Sequence, residues 1–242
     1  MHTSKSVLMR LVFMVLCGSV VAMLAGCGLI YPSDRLRQRI TVEVETPQGV
    51  RTGSSVVETE VQEGKSWGDA SGIQFTLKGE AVAVSLPGGR TLFAVLHGSG
   101  DTFRDDPASY QVRLLSDALR AGAQASVRVP VQGLNLMQAR AAAKRAKVNL
   151  TLPRNLYPTL VTFADPTDPR SVEQVVPTDL AATFGPGVRL KRITVAVTND
   201  AVTTGISARL PSYDSVSDEW FRNLVYGDPR AFYLFDFQQG TK

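Results

Sequence analysis

The sequence predicts an α+β fold: mostly antiparallel β-sheet with a few amphipathic helices. Three observations predict it. Apolar and polar residues alternate with a period of two in short runs, as in Ile40-Thr41-Val42-Glu43-Val44-Glu45. Proline- and glycine-containing turns such as Pro47-Gln48-Gly49 and Pro87-Gly88-Gly89 separate those runs. Helical periodicity is confined to a few stretches, the clearest being 107–121 and 136–147.

The elements are expected in the following order. A strand at 40–45, the turn at 47–49 and a second strand over 50–61 make a hairpin. Strands at 72–77 and 81–86 make another around Lys78-Gly79-Glu80, because Val82, Val84 and Leu86 alternate with Ala81, Ala83 and Ser85. After Pro87-Gly88-Gly89, residues 90–97 add a third strand to that meander. Asp106-Pro107 has the form of a helix cap with proline in the first turn, and Val112, Leu115, Ala118 and Leu119 then share one face. Residues 126–131 are read as a short strand. The alanine-rich stretch 136–147 has high helix propensity. Its Arg140 and Lys144 stand one turn apart, a spacing read as a solvated basic face or a contact with anionic lipid head groups or nucleic acid, with the solvated face preferred.

Farther along, 159–163 is a strand ending in the turn Asp165-Pro166-Thr167-Asp168-Pro169, and 172–176 is a short strand. Pro177-Thr178-Asp179 opens a short helix that ends near Gly185. Residues 188–197 form a clear strand. Ser217 caps a helix containing Trp220, Phe221, Leu224 and Val225, and 231–237 is a final aromatic strand. Residues 38–242 are read as one globular domain, with a compositional change near 131–150 as the place where it would divide.

The amino terminus carries a separate signal. Lys5 and Arg10 are followed by the uncharged stretch 11–30, with the apolar run Leu11-Val12-Phe13-Met14-Val15-Leu16 and then small residues. This is the order of an export signal. Its end, Leu24-Ala25-Gly26-Cys27, resembles the bacterial lipobox. That resemblance implies cleavage of residues 1–26, acylation of Cys27 and a tether over 27–37. Each buried methylene contributes about 0.8 kcal/mol, so two or three acyl chains on Cys27 would hold the protein stably. The implied partner is membrane lipid, through acyl groups such as palmitate. The implied address is the bacterial envelope, with the outer membrane and its periplasmic face favoured because Gly28, not aspartate, follows the cysteine. An uncleaved anchor over 11–30 would also place the rest of the chain outside the cytoplasm.

Charge and composition exclude little. The full chain has a formal charge of +4, and removal of Lys5 and Arg10 leaves about +2, too small for a nucleic-acid partner to be expected. Cys17 lies in the signal and Cys27 is the lipidation site, so thiol chemistry in the folded part is not expected. Two further stretches resemble a group of uncharacterised proteobacterial proteins. They are 41–56, with Arg51-Thr52-Gly53-Ser54-Ser55-Val56 at its end, and Asp179-Leu180-Ala181-Ala182-Thr183-Phe184-Gly185-Pro186-Gly187-Val188 continuing to Thr203-Thr204-Gly205-Ile206. The resemblance implies kinship and no activity.

Catalytic groups are scarce. His97 is the only histidine outside the signal, which leaves no multi-histidine zinc site. A hydrolytic triad would have to use it, with Ser99 and Asp101 of His97-Gly98-Ser99-Gly100-Asp101 as neighbours. That segment lacks the order of a nucleophile elbow. Asp101, Asp105 and Asp106 do not have calcium-loop spacing, and Asp165 and Asp168 sit in a turn. No metal and no cofactor are expected. The most suggestive polar island is Arg51-Thr52-Gly53-Ser54-Ser55, where hydroxyls beside an arginine would cradle a small anion. The competing explanation is a glycine-associated bulge. Trp67, in a glycine-rich loop, is either an exposed aromatic contact or a lid on the core. The expectation is a non-enzymatic binding or assembly domain with an envelope protein as its possible partner. The alternatives are a hydrolase using His97 and an anion binder at Arg51, Thr52, Ser54 and Ser55.

Overall fold

A computed structural model of the chain describes residues 33–64, 72–98, 106–212 and 234–240. Cys27, Trp67, Ser99, Asp101, Asp105 and the expected helix after Ser217 lie outside the described residues. All pairings between the described strands are antiparallel, and they form two sheets, so the class is α+β as expected.

The larger sheet is built on one long hairpin. Strand β1 (Ser33–Thr46) pairs with β2 (Gly49–Gly64) in unbroken register from Ser33↔Gln62 to Thr46↔Gly49. Alternation decides which face is buried: Leu36, Gln38, Ile40, Val42 and Val44 point inward, and the residues between them face solvent. The solvent face carries cross-strand ion pairs, Arg35–Glu60, Arg37–Glu58 and Lys191 and Arg192 with Glu43. Such exposed pairs are each worth at most about 1 kcal/mol. The segment expected as a tether therefore differs from the structure in its second half. Residues 33–37 belong to β1, because Leu36 is buried against the core and Asp34 is bound by Arg140.

Strand β3 (Gly72–Glu80) extends the sheet beyond β2, but only along Glu58–Gly64. On the other side come β9 (Arg189–Val197) and the short β6 (Asn149–Thr151), which the sequence reading did not anticipate. The register shift in this sheet falls between Glu43 and Val44 against β9, not at Gly53 in β2.

The expected hairpin of 72–77 with 81–86 does not form. Strand β4 (Val82–Ser85) leaves the first sheet and pairs with β5 (Thr91–Gly98) in a second one, ordered β4-β5-β7-β8. Here β7 is Pro158–Phe163 and β8 is Val172–Gln174. Both faces of this small sheet are covered, which is why β5 and β7 are buried along nearly their whole length. Leu92, Ala94 and Leu96 join the main core, whereas Phe93 and Val95 face a second apolar cluster. That cluster contains Phe237, whose ring stands edge-on to Phe93 with centroids 5.6 Å apart. Phe237 ends a helical turn, α4 (Leu234–Phe237), which comes after the short helix α3 (Leu180–Phe184) in the chain and is followed by β10 (Gln238–Gln239) on the edge of β3. The expected aromatic strand over 231–237 is thus, in its described part, a helical turn that plugs Phe237 under the second sheet.

Helix α1 (Pro107–Arg120) starts where the sequence predicts, with the Asp106 side chain accepting from the Ser109 amide at 3.0 Å. It lies against both sheets, and a buried amide chain fixes it. Gln38 Nε2 donates to Gln111 Oε1 and to the Gln111 carbonyl, both at 2.9 Å, while Gln111 Nε2 donates to the Leu96 carbonyl. Helix α2 (Leu136–Ala146) opens with an Asn135–Gln138 capping box. Residues 126–131 form no strand; only a bridge, Ala125↔Leu150, occurs beside them. The stretch 131–150 is part of the main core, through Val131, Ala139, Ala143, Val148 and Leu150.

Arg140 corrects the reading of α2 as a solvated basic face. It is fully buried, donating through Nε to Asp34 (2.7 Å), through Nη1 to the Val112 carbonyl (2.8 Å) and through Nη2 to Thr59 Oγ1 (3.1 Å). Lys144, one turn on, remains exposed and donates to the Arg35 carbonyl. The shared face is real, but it packs onto β1 and β2.

Candidate functional site

The two sheets meet at the first half of β2, and a cleft of about 690 Å³ opens there. One wall is β2 from Val50 to Ser54. The opposite wall is the segment 203–209, and β4 supplies the floor through Ala83 and Ser85. Three of the four residues of the polar island, Arg51, Thr52 and Ser54, line the cleft. Ser55 does not: it is buried and donates to the Glu80 carbonyl at 2.6 Å.

The sequence between them explains the cleft. Gly53 is required by contact, since a Cβ there would stand 2.3 Å from the Ala83 carbonyl oxygen. The glycine therefore does not mark a bulge. It lets β4 cross the inner face of β2 at backbone distance. The second wall is held by a buried carboxylate. Glu80, at 3% exposure, accepts from the Gly205 amide (2.9 Å) and the Ile206 amide (2.8 Å), one on each oxygen. Thr203 adds a bridge to the first wall: its amide donates to the Val56 carbonyl, and its Oγ1 accepts from the Val56 amide at 2.8 Å.

The polar groups left facing the cleft are mostly cationic and hydroxylic. Arg51, Thr52, Ser54 and Thr204 are exposed. Arg209, also exposed, donates to Ser85 Oγ at 3.4 Å. Among the described residues neither Arg51 nor Arg209 has a carboxylate partner, and the only acid lining the cleft, Glu80, is already occupied by two amides. The arrangement is electropositive and rich in hydrogen-bond donors, which suits an acidic ligand. Sequence reasoning found Arg51 and its hydroxyl neighbours. It missed Glu80 and Arg209, which nothing local distinguishes from surface charges. Two segments far apart in the sequence, 50–54 and 203–206, meet at this cleft.

His97 is placed elsewhere, at the end of β5, and is buried. Its Nδ1 lies 3.0 Å from the Gly98 carbonyl and 3.3 Å from Thr159 Oγ1, and its Nε2 faces the buried Asp236 carboxylate of α4 at 3.7 Å. An acid, an imidazole and a hydroxyl are thus in sequence, but all three are covered. The group ties α4 to β5 and β7. Replacing His97 with alanine is expected to cost about 1–3 kcal/mol of stability, the penalty for leaving buried polar partners unsatisfied. A urea unfolding midpoint within error of the parent would overturn that assignment.

Asp106, Asp165 and Asp168 serve local structure. Asp106 caps α1. In the turn after β7, hydrogen bonds from the Thr167 hydroxyl and amide hold Asp165 below the usual carboxylate range, and Arg170 does the same for Asp168. Among the described residues no three His, Cys, Asp or Glu side chains come together as a metal site, and no helix is long and apolar enough to cross a membrane. No protein-family model, curated protein or solved structure matches the chain.

Proposed function

We propose that this chain is a lipid-anchored protein of the bacterial envelope whose folded part is a non-enzymatic binding domain, with the cleft beside Arg51 as the seat of its acidic ligand. The observation that carries the binding reading is the pair of arginines, Arg51 and Arg209, that line one cleft without a carboxylate partner among the described residues. The anchor reading rests on the signal and Leu24-Ala25-Gly26-Cys27, and the outer membrane is favoured by Gly28. Strand β1 begins at Ser33, so an acyl group on Cys27 would hold the domain within a few residues of the bilayer surface. An envelope protein presented at that surface is the expected partner, and neither a cofactor nor nucleic acid is invoked. The hydrolase alternative draws less support, because His97 is enclosed by Thr159 and Asp236.

The test is in-cell crosslinking combined with labelling by an alkyne analogue of palmitate. Label is expected on the parent and absent from Cys27→Ala; an unlabelled parent defeats the anchor. Crosslinking should capture a reproducible envelope protein, and Arg51→Ala should reduce its yield several-fold while the palmitate label persists. Unchanged capture by Arg51→Ala defeats the cleft as the binding site.

A further inference from the structure

The hydrogen-bond pattern of β1 fixes which way each backbone group of β2 points. The Thr198 amide donates to the Arg37 carbonyl, so odd-numbered residues of β1 turn their backbone groups toward β9. Even-numbered residues then turn toward β2, where Val42 faces Gly53 and Ile40 faces Ser55. It follows that Gly53 and Ser55 are bonded to β1, while Val50, Thr52, Ser54 and Val56 direct their N–H and C=O to the opposite side. The Val56–Thr203 bridge confirms that direction independently, because both of its bonds leave Val56 on that side.

Beyond Val56 that side is taken up by β3 from Glu58 onward. Before Val56, among the described residues, no strand or loop hydrogen-bonds to the outward backbone groups of Val50, Thr52 and Ser54. This open edge forms one wall of the cleft. The edge offers donors and acceptors in alternation, repeating about every 7 Å along the strand. A small anion would meet the donors and leave the carbonyls unanswered. Another extended chain meets both. The side chain of Arg51 lies on the same face of β2 as Gly53, toward β4, and Arg209 stands on the other wall.

We propose that the cleft accepts an extended peptide segment, added as a strand to the free edge at Val50, Thr52 and Ser54, with an aspartate or glutamate of that segment meeting Arg51 and Arg209. The proposal rests on the reading of this cleft as the ligand seat and specifies the ligand. The main-chain pairing would supply affinity, and the arginines would select an acidic residue at one register position. The segment lies in trans, on a partner protein, which fits a domain held close to the membrane surface.

The test is selection of a displayed library of random dodecapeptides against the full chain in detergent. Binders enriched in acidic and β-branched residues are expected. Each selected peptide is then remade with alternate backbone nitrogens N-methylated, which leaves the protein untouched. Loss of a backbone hydrogen bond should weaken binding by about tenfold. Thr52→Pro removes a donor that β1 does not use, and is expected to produce a similar loss without lowering the unfolding midpoint. Amide exchange at Thr52 and Ser54 should slow in the complex. If no peptide is selected, or if the selected peptides tolerate both N-methylated registers and Thr52→Pro, strand addition is wrong. Should inorganic phosphate nonetheless bind in an Arg51-dependent manner, the cleft stands as an anion site and only the peptide is lost. If neither phosphate nor peptide binds, the cleft reading fails as well, and Arg51 is left as an inward charge guarding an open edge.

Discussion

Replacing Arg140 with alanine is expected to destabilise the protein by about 3–5 kcal/mol, the usual cost of breaking a buried ion pair from one side. For a domain of this size that corresponds to a fall of about 10 °C in Tm. The reason is the number of groups one guanidinium satisfies. Asp34 on β1, the Val112 carbonyl on α1 and Thr59 on β2 all receive its hydrogen bonds. Burial pushes the guanidinium pKa down, while the charge and hydrogen bond of Asp34 oppose that shift. Truncation leaves Asp34 without that partner in a largely covered place, with only the exposed Lys144 ammonium at 4.0 Å. A paired change makes the argument specific. If the cost is mostly the stranded carboxylate, Arg140→Met with Asp34→Leu should recover a large part of the loss. Equal destabilisation in the single and double variants would locate the effect in packing around α2. Chemical denaturation with a check on the m-value distinguishes lost stability from a changed unfolded state.

Arg140 also shows where sequence reasoning stops. An alanine-rich helix with basic residues one turn apart has the pattern of a solvated face, and Lys144 obeys it. The burial of Arg140 depends on Asp34, more than a hundred positions earlier, which periodicity does not connect to it. The same limit governs the sheets. Local patterning correctly places β1, β2 and β9, where apolar and polar residues alternate, and β5 and β7, whose short runs are buried almost throughout because both faces are covered. It does not say which strands pair. For β3 and β4 the nearest partner in sequence is the wrong one. At the cleft, the Arg51-Thr52-Gly53-Ser54 island is visible because polar residues interrupt a strand pattern. Its other wall, anchored by Glu80 to Gly205 and Ile206, is assembled across more than a hundred residues and leaves no local trace.

The second large effect is expected at Gly79, where alanine should cost about 2–6 kcal/mol. Two independent terms add. The residue has a φ of +140°, a conformation that side-chain-bearing residues avoid at a cost of about 1–3 kcal/mol. A Cβ there would also lie 2.7 Å from Val57 Cγ1 and 2.9 Å from the Val57 backbone, and overpacking of that kind costs about 1–3 kcal/mol. Gly88 separates the terms. Its φ is +83°, but a Cβ there meets nothing within 4 Å, so Gly88→Ala should show conformational strain alone. In the sequence this glycine marks a change of direction, and its surroundings predict a hairpin turn. Its role in the structure is to bring β3 to its end against Val57 so that, after Glu80, Ala81 carries the chain into the second sheet. Because Glu80 follows directly and holds the far wall of the cleft, displacing Gly79 should disturb ligand binding along with stability. If Gly79→Ala and Gly88→Ala destabilise equally, the contact with Val57 has relaxed at no cost. If only Gly79→Ala also loses Arg51-dependent binding, the sheet crossing and the cleft are one mechanical unit.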